Sequence, residues 1–559
     1  MRRYTTLLAL GFLAAAAPAG AQHDGHAPMP PMPPQTLADW SKGARLYEGL
    51  GSFHRAVTTA SPEAQAWFDQ GMRFIWAFNH DEATRAFAKA AEVDPGCASC
   101  WWGVALTLGP NYNMPTMAGA RAKAGWEALG KARAAAAHAS PVEQALIEAL
   151  YRRFLADKPL DPSNSAAPLK SYVAAMKDVA ARFPADLDVQ TLYAEALMNT
   201  NPWKLWNADG TPGPGTPDIL AALKSVLARD PKHPGANHYW IHAVEASRDP
   251  GQALASAQML KGMMPAAGHL EHMPAHIFQR VGRYEEAAEA NRKGAAADLA
   301  YLSATAPPDY YPMYLIHNFQ FLAASAAMEG RRAETLDALR KAKAAVPEAM
   351  LLSMPGLDWS IGYLYAGMAR FGLWDDILAE PRPNPKLQGL TAAWLDARGM
   401  ALAAKGRIAE AKAAVAELDR IVAATPADAT QGQNPARPLY AVASLRAKAR
   451  IASAEGRKVE AVTLLREAVA KEDKLAYNEP EDEFFPTRHL LGAALLAAGK
   501  AAEAEAVYRE DLKRHPDNGW ALHGLRAAYA AQRKYPGDID PQVDAAWKQA
   551  DVRPAGSAY

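Results

Sequence analysis

The chain has 559 residues, with 60 Lys plus Arg against 60 Asp plus Glu. That balance leaves no basic excess to attract nucleic acid or anionic lipid, and the length exceeds what one globular core organises. Two cysteines exclude a disulfide-held fold, and no stretch reaches the ~18 to 20 apolar residues that a membrane helix needs.

Arg2 and Arg3 precede an apolar run from Leu7 to Ala17, and Ala19-Gly20-Ala21 offers the small residues read by a signal peptidase. Residues 1–21 are therefore expected to be a cleavable secretory signal, which places the mature chain in the periplasm or outside the cell. Residues 22–45 are polar, His/Met/Pro-rich, and expected to be a disordered linker. Within them His23, His26, Met29 and Met32 combine imidazole with thioether, a pairing that favours copper but also occurs in linkers without a metal role. Cys97 and Cys100 form a Cys-x-x-Cys pair followed by Trp101, where haem attachment needs His. A local disulfide or inert thiols are expected there rather than a redox site.

From Ser61 onward, apolar residues recur at helical spacing and are punctuated by Gly, Asp-Pro or Pro turns. Trp67, Gly71, Phe74, Ala83, Phe87, Ala90 and Pro95 alternate large and small residues as two interlocking antiparallel helices require. Gly492, Leu495, Ala504, Tyr508 and Pro516 repeat that register, as do Gly399, Leu402 and Ala411. Ile219, Ala253 and Ala287 are each 34 residues apart. Taken together these positions resemble the tetratricopeptide-repeat (TPR) family of exported bacterial type, from about Ser61 to Gln532. The resemblance implies an all-α, right-handed α-solenoid of tandem TPR helix-turn-helix repeats, in which neighbouring repeats share one core.

Three segments are expected: an N-terminal TPR segment over 46–200, a central one with a histidine-lined groove over 201–350, and a C-terminal one over 351–559. Interruptions fall at Leu108 to Met117, at Asn201 to Pro217 with Trp203 and Trp206, at Ala306 to Pro312 and at Pro381 to Pro385. The second of these is a candidate lid.

In proteins that resemble this family, the first helix of each repeat lines a concave groove. His238 and His242 fall on such groove positions in one repeat, and His272 and His276 fall 34 residues later in the next. Residues i and i+4 share a helix face about 5–6 Å apart, so the four imidazoles are placed to converge. Glu245, Glu271, His269 and His317 are possible additional partners. Three readings stand: a wet groove shaped by polar groups, a zinc or copper site, or a catalytic centre in which a metal activates water with Glu245 or Glu271 as base. No residue is assigned a catalytic role, because no H-E-x-x-H, nucleophile elbow or phosphate loop occurs.

The resemblance implies a protein or peptide partner in the concave groove, with Tyr239, Glu245, His269, Gln279, Tyr314 and His317 as groove residues. The rival is a metal-binding protein using His238, His242, His272 and His276. The acidic run Glu479 to Phe485 is read as groove wall or as solvated loop. Oligomeric state and a required cofactor stay open.

Overall fold

The computed structural model describes Pro34 and residues 36–305, 310–354 and 356–559. The expected signal and the His23/His26/Met29/Met32 tail lie outside these residues.

Local chemistry starts each helix. Ser61 caps Pro62–Trp76 by accepting the Ala64 amide at 3.2 Å, with proline at the first turn, where its missing N–H costs nothing. Asn79 caps the antiparallel partner His80–Val93 through the Glu82 amide. The turn between them passes through Phe78 in the left-handed region (φ 54°). Such pairs stack along the chain, each second helix touching the next first helix, as His80–Val93 does with Ala98–Leu108. This is the all-α TPR-type array of the sequence reading. The described residues hold one two-stranded ribbon, Thr430–Gln431 against Asn434–Pro435.

Ring-into-glycine packing joins the repeats. Phe87 lies between Gly71 and Gly103, where an added Cβ would meet the ring at 2.5 Å. Tyr508 occupies the same place between Gly492 and Gly524, with a Cβ there at 2.2 Å. The two devices, at opposite ends of the array, share one spacing, so repeat register and packing are the same constraint.

Two features depart from expectation. Residues 36–45 are not wholly a linker: a short turn, Leu37–Asp39, buries Leu37 and Trp40, and the Arg121 guanidinium lies 5.5 Å from the Trp40 ring. The apolar core also falls into two main clusters rather than three segments, one running from Leu37 to Ala290 with Phe321, the other from Ala288 to Trp547.

The array curls back on itself. Tyr301 donates to Glu82 at 3.0 Å, and Trp76 packs edge-on against Tyr239. At the other end, Tyr284 donates to the Pro516 carbonyl at 2.9 Å and Trp520 to that of Ala327 at 2.7 Å. The acidic run is a buried strap rather than a solvated loop. Trp359 donates to the Asp482 carbonyl, Tyr363 to that of Glu481, and Arg446 pairs with Glu483 and Asp396. Behind it, His515 bonds Glu481 at 3.0 Å, while Asp511 takes His489 at 2.9 Å. No helix among the described residues is long and apolar enough to cross a membrane.

Two outcomes follow from this packing. Gly103→Ala or Gly524→Ala should overpack the ring and cost about 1–3 kcal/mol. A lowered thermal midpoint at unchanged helix content checks this; an unchanged midpoint would show that the ring shifts freely. Burial alone would lower the His515 pKa, but the carboxylates of Glu481 and Asp511 outweigh it and raise it from 6.5 to about 10. A raised folded-state value stabilises fully below the unfolded value and is lost on the alkaline side. The thermal midpoint should therefore fall between about pH 6.5 and 10, and His515→Gln should flatten that stretch of the profile.

Candidate metal centre

The curled array brings three inward-facing helical stretches to its middle. Pro234–Val244 is capped by His233, whose Nδ1 accepts the Ala236 amide at 3.0 Å, and it carries His238 and His242 one turn apart. Glu245 follows at its C-terminus. Gly268–His272 and Pro274–Arg280, joined through Met273, supply His269, His272 and His276. His317 projects from Pro312–Met328.

These six histidines form two triads. One ring nitrogen from each of His238, His242 and His269 lies within 4.8 Å of the others, and the same holds for His272, His276 and His317. The four histidines expected to act as ligands are brought together, but they are shared between two sets. Each set is completed by a residue that the sequence reading placed in a peptide groove.

Hydrogen bonds on the outer nitrogens fix which atoms face inward. The carbonyl of Trp76, a free acceptor at a helix C-terminus, lies 2.6 Å from His238 Nδ1. A carbonyl only accepts, so Nδ1 carries the proton and Nε2 the lone pair. Asn291 uses its amide nitrogen on the Ala287 carbonyl, so its oxygen accepts from His272 Nδ1 at 2.6 Å. Glu245 accepts from His242 Nδ1 at 2.8 Å with one oxygen and from His276 Nδ1 with the other. Glu479, from the strap, also reaches His276 Nδ1 at 2.5 Å. Four Nε2 atoms are thereby turned toward the interior. His272 and His276 oppose theirs at 2.7 Å, His238 and His269 at 3.2 Å, and His242 Nε2 is buried without a partner.

The walls are apolar. Phe78 stacks on His242 and His269, with ring centroids 5.7 and 5.4 Å away, and Phe321 lies against His272, His276 and His317. Tyr112 packs on His242 and is backed by the Trp203 ring, so the 201–217 insertion does cover this side. Burial, reinforced by neighbouring imidazoles, pushes the pKa of His238, His269 and His272 well below the ordinary value, and that of His317 down to about 3. His276 is the exception. Burial would lower its pKa too, but Glu245 and Glu479 raise it to about 10. Burial would raise Glu245, yet His276 and His242 draw it below the usual carboxylate range; burial and repulsion from Glu245 raise Glu479. The centre is thus a set of neutral imidazoles holding one extra proton. That is the protonation state from which a metal takes ligands.

The remaining expected residues divide. Tyr239 is fully buried against Trp76 and Phe78 and does not face a groove. Gln279 accepts from Ser325 at 2.6 Å and borders a cavity beside His276 that Arg280, Tyr477 and His515 also line. Tyr314 packs on His269 and hydrogen-bonds Asn113. Glu271 is buried outside both triads. An open groove is absent at these positions because the first-repeat turn and the strap fill the middle of the curl. Phe78, Tyr112, Asn291 and Glu479 were not anticipated. Asn291 carries the one available signal, a polar residue buried in an otherwise amphipathic helix; the others come from segments distant in sequence.

No protein-family model matches the chain, and no curated protein matches it. Solved structures align over most of it. They include a human IFIT1 dimer with m7Gppp-AAAA, 12% identical, covering 89% of this chain and 92% of that one at a TM-score of 0.31. Yeast Tom70 is 11% identical over 86% and 91% at 0.30, and the APC/C hetero-tetramer Cut9-Hcn1 is 14% identical over 88% and 81% at 0.31. At these values the likeness carries no argument about the site.

Proposed function

We propose that this chain is an exported metal-binding protein whose helical repeats hold a buried histidine–carboxylate centre for zinc or copper. The observation that carries this reading is the inward pair His272 Nε2 and His276 Nε2, 2.7 Å apart, with both Nδ1 atoms already committed to Asn291 and to the two glutamates. Lone pairs opposed at that distance repel unless a proton or a cation lies between them. Two nitrogen ligands of one ion, each about 2 Å from it, lie about 3 Å apart. Outer nitrogens donating to a carbonyl, an amide oxygen and carboxylates are the arrangement that orients metal-bound imidazoles and raises their basicity.

Binding is better supported than hydrolysis. Both Glu245 oxygens are occupied by imidazoles and Glu271 lies outside the triads, so neither is free to act as a base. The signal over 1–21 and the Cys97–Cys100 disulfide support an oxidising, extracytoplasmic setting. A partner-binding scaffold, which the repeat fold alone suggests, would have to use a surface other than the residues first assigned to its groove.

Elemental analysis of the exported protein should find zinc or copper that survives gel filtration, and His242→Ala/His276→Ala should lose it. Adding the metal to the apo protein should raise the thermal midpoint, since an ion that binds only the folded state stabilises it by RT ln(1 + [L]/Kd). A folded wild type that holds neither metal, with no shift in midpoint, would sink the reading.

A further inference from the structure

The sequence reading treated four histidines as one site, and the structure divides six into two. The division follows the repeat. In each case a His-x-x-x-His pair on one repeat's first helix is joined by the next histidine along the array: His238 and His242 by His269, His272 and His276 by His317. One step along the solenoid carries the first triad onto the second. Each triad also contains one close inward pair, 3.2 Å for His238 and His269 and 2.7 Å for His272 and His276, the separation expected of two ligands on one ion. Glu245 sits between the triads and gives one oxygen to each.

Charge limits what the two triads can hold. Among the groups touching the six imidazoles, only Glu245 and Glu479 are carboxylates. The rest are neutral: the Trp76 carbonyl, Asn291, Phe78, Tyr112, Tyr314 and Phe321. Asp298, the next buried acid, is spent on Tyr311 and Asn318. Two divalent ions would leave two uncompensated positive charges within these apolar walls, at a penalty of several kcal/mol per ion. Two monovalent ions would be neutralised. Of the metals that imidazole favours, copper is the one with a stable monovalent state, whereas zinc has only the divalent one.

Resting on the metal-binding reading above, we infer that the centre is dinuclear and takes a pair of cuprous ions, one in His238/His242/His269 and one in His272/His276/His317, with Glu245 positioning both. Copper(I) titrated anaerobically into the full-length apo protein, against a chromophoric cuprous chelator, should bind at two equivalents. His238→Ala/His269→Ala and His272→Ala/His317→Ala should each keep one. X-ray absorption on the loaded protein should show nitrogen-only scattering. Stoichiometry on the unmodified chain decides the question even if a variant fails to fold. One copper per chain, abolished by either pair of substitutions, overturns the inference in favour of a single centre. Two zinc ions bound with no affinity for copper(I) overturn it through the charge argument. A folded wild type that binds neither copper nor zinc overturns the metal-binding reading itself.

Discussion

The interior of this molecule depends on one carboxylate. Glu245 gives one oxygen to His242 and the other to His276, residues that belong to consecutive repeats. A carboxylate buried behind Phe78, Phe321 and Tyr112 without partners would abandon its charge or destabilise the fold. Charge-assisted bonds from two imidazoles remove that penalty, and they do so only if both rings present Nδ1 outward. The same two bonds therefore set the tautomer and direct each Nε2 inward. Ring orientation, the neutral state of the neighbouring imidazoles and the division into two triads all depend on this choice.

Much of this was legible in the sequence, for a local reason. Gly71, Phe87 and Gly103 repeat the spacing of Gly492, Tyr508 and Gly524 because a ring must enter the space that two glycines leave. The 34-residue separation of His238 from His272 and of His242 from His276 was equally readable, since stacked repeats set equivalent positions side by side. The curl was not readable. Phe78 and Glu479 reach the histidines from segments about 160 and 200 residues away, and nothing within a helix-length window announces such contacts. The open groove that the repeat pattern implies was accordingly the wrong setting for the right residues. Trp40 is a smaller case: averaged into a proline-rich stretch it read as linker, although one large aromatic side chain can anchor a segment by burial alone.

Closure changes what a helical-repeat array can do. An open solenoid binds along a wet concave face, where a polar side chain loses little by being exposed. Here the turn carrying Phe78 and the strap carrying Glu479 dry that face. A dry site with a low effective dielectric strengthens each electrostatic interaction inside it and makes each unpaired polar atom costly. The strap meets the first of these consequences by adding a second carboxylate. It is in turn held by the Trp359, Tyr363 and His515 contacts on its outer side, so the C-terminal repeats contribute to the centre without supplying one of the six histidines.

Repeat construction also explains why the centre has two parts. A fold made by stacking near-identical units places side chains by translation, so a ligand pair suited to one unit appears again one step along. Two triads built this way are similar without being equal. The first is bounded by a backbone carbonyl at His238, and the second by an amide at His272 and an added carboxylate at His276. The second triad therefore carries more negative charge on its outer nitrogens and should be the stronger donor set. His242 Nε2, buried and unpartnered, marks the first as the more strained without an ion. The two stabilising terms are thus distributed unequally, with electron donation greater at the second triad and relief of an unsatisfied buried atom greater at the first.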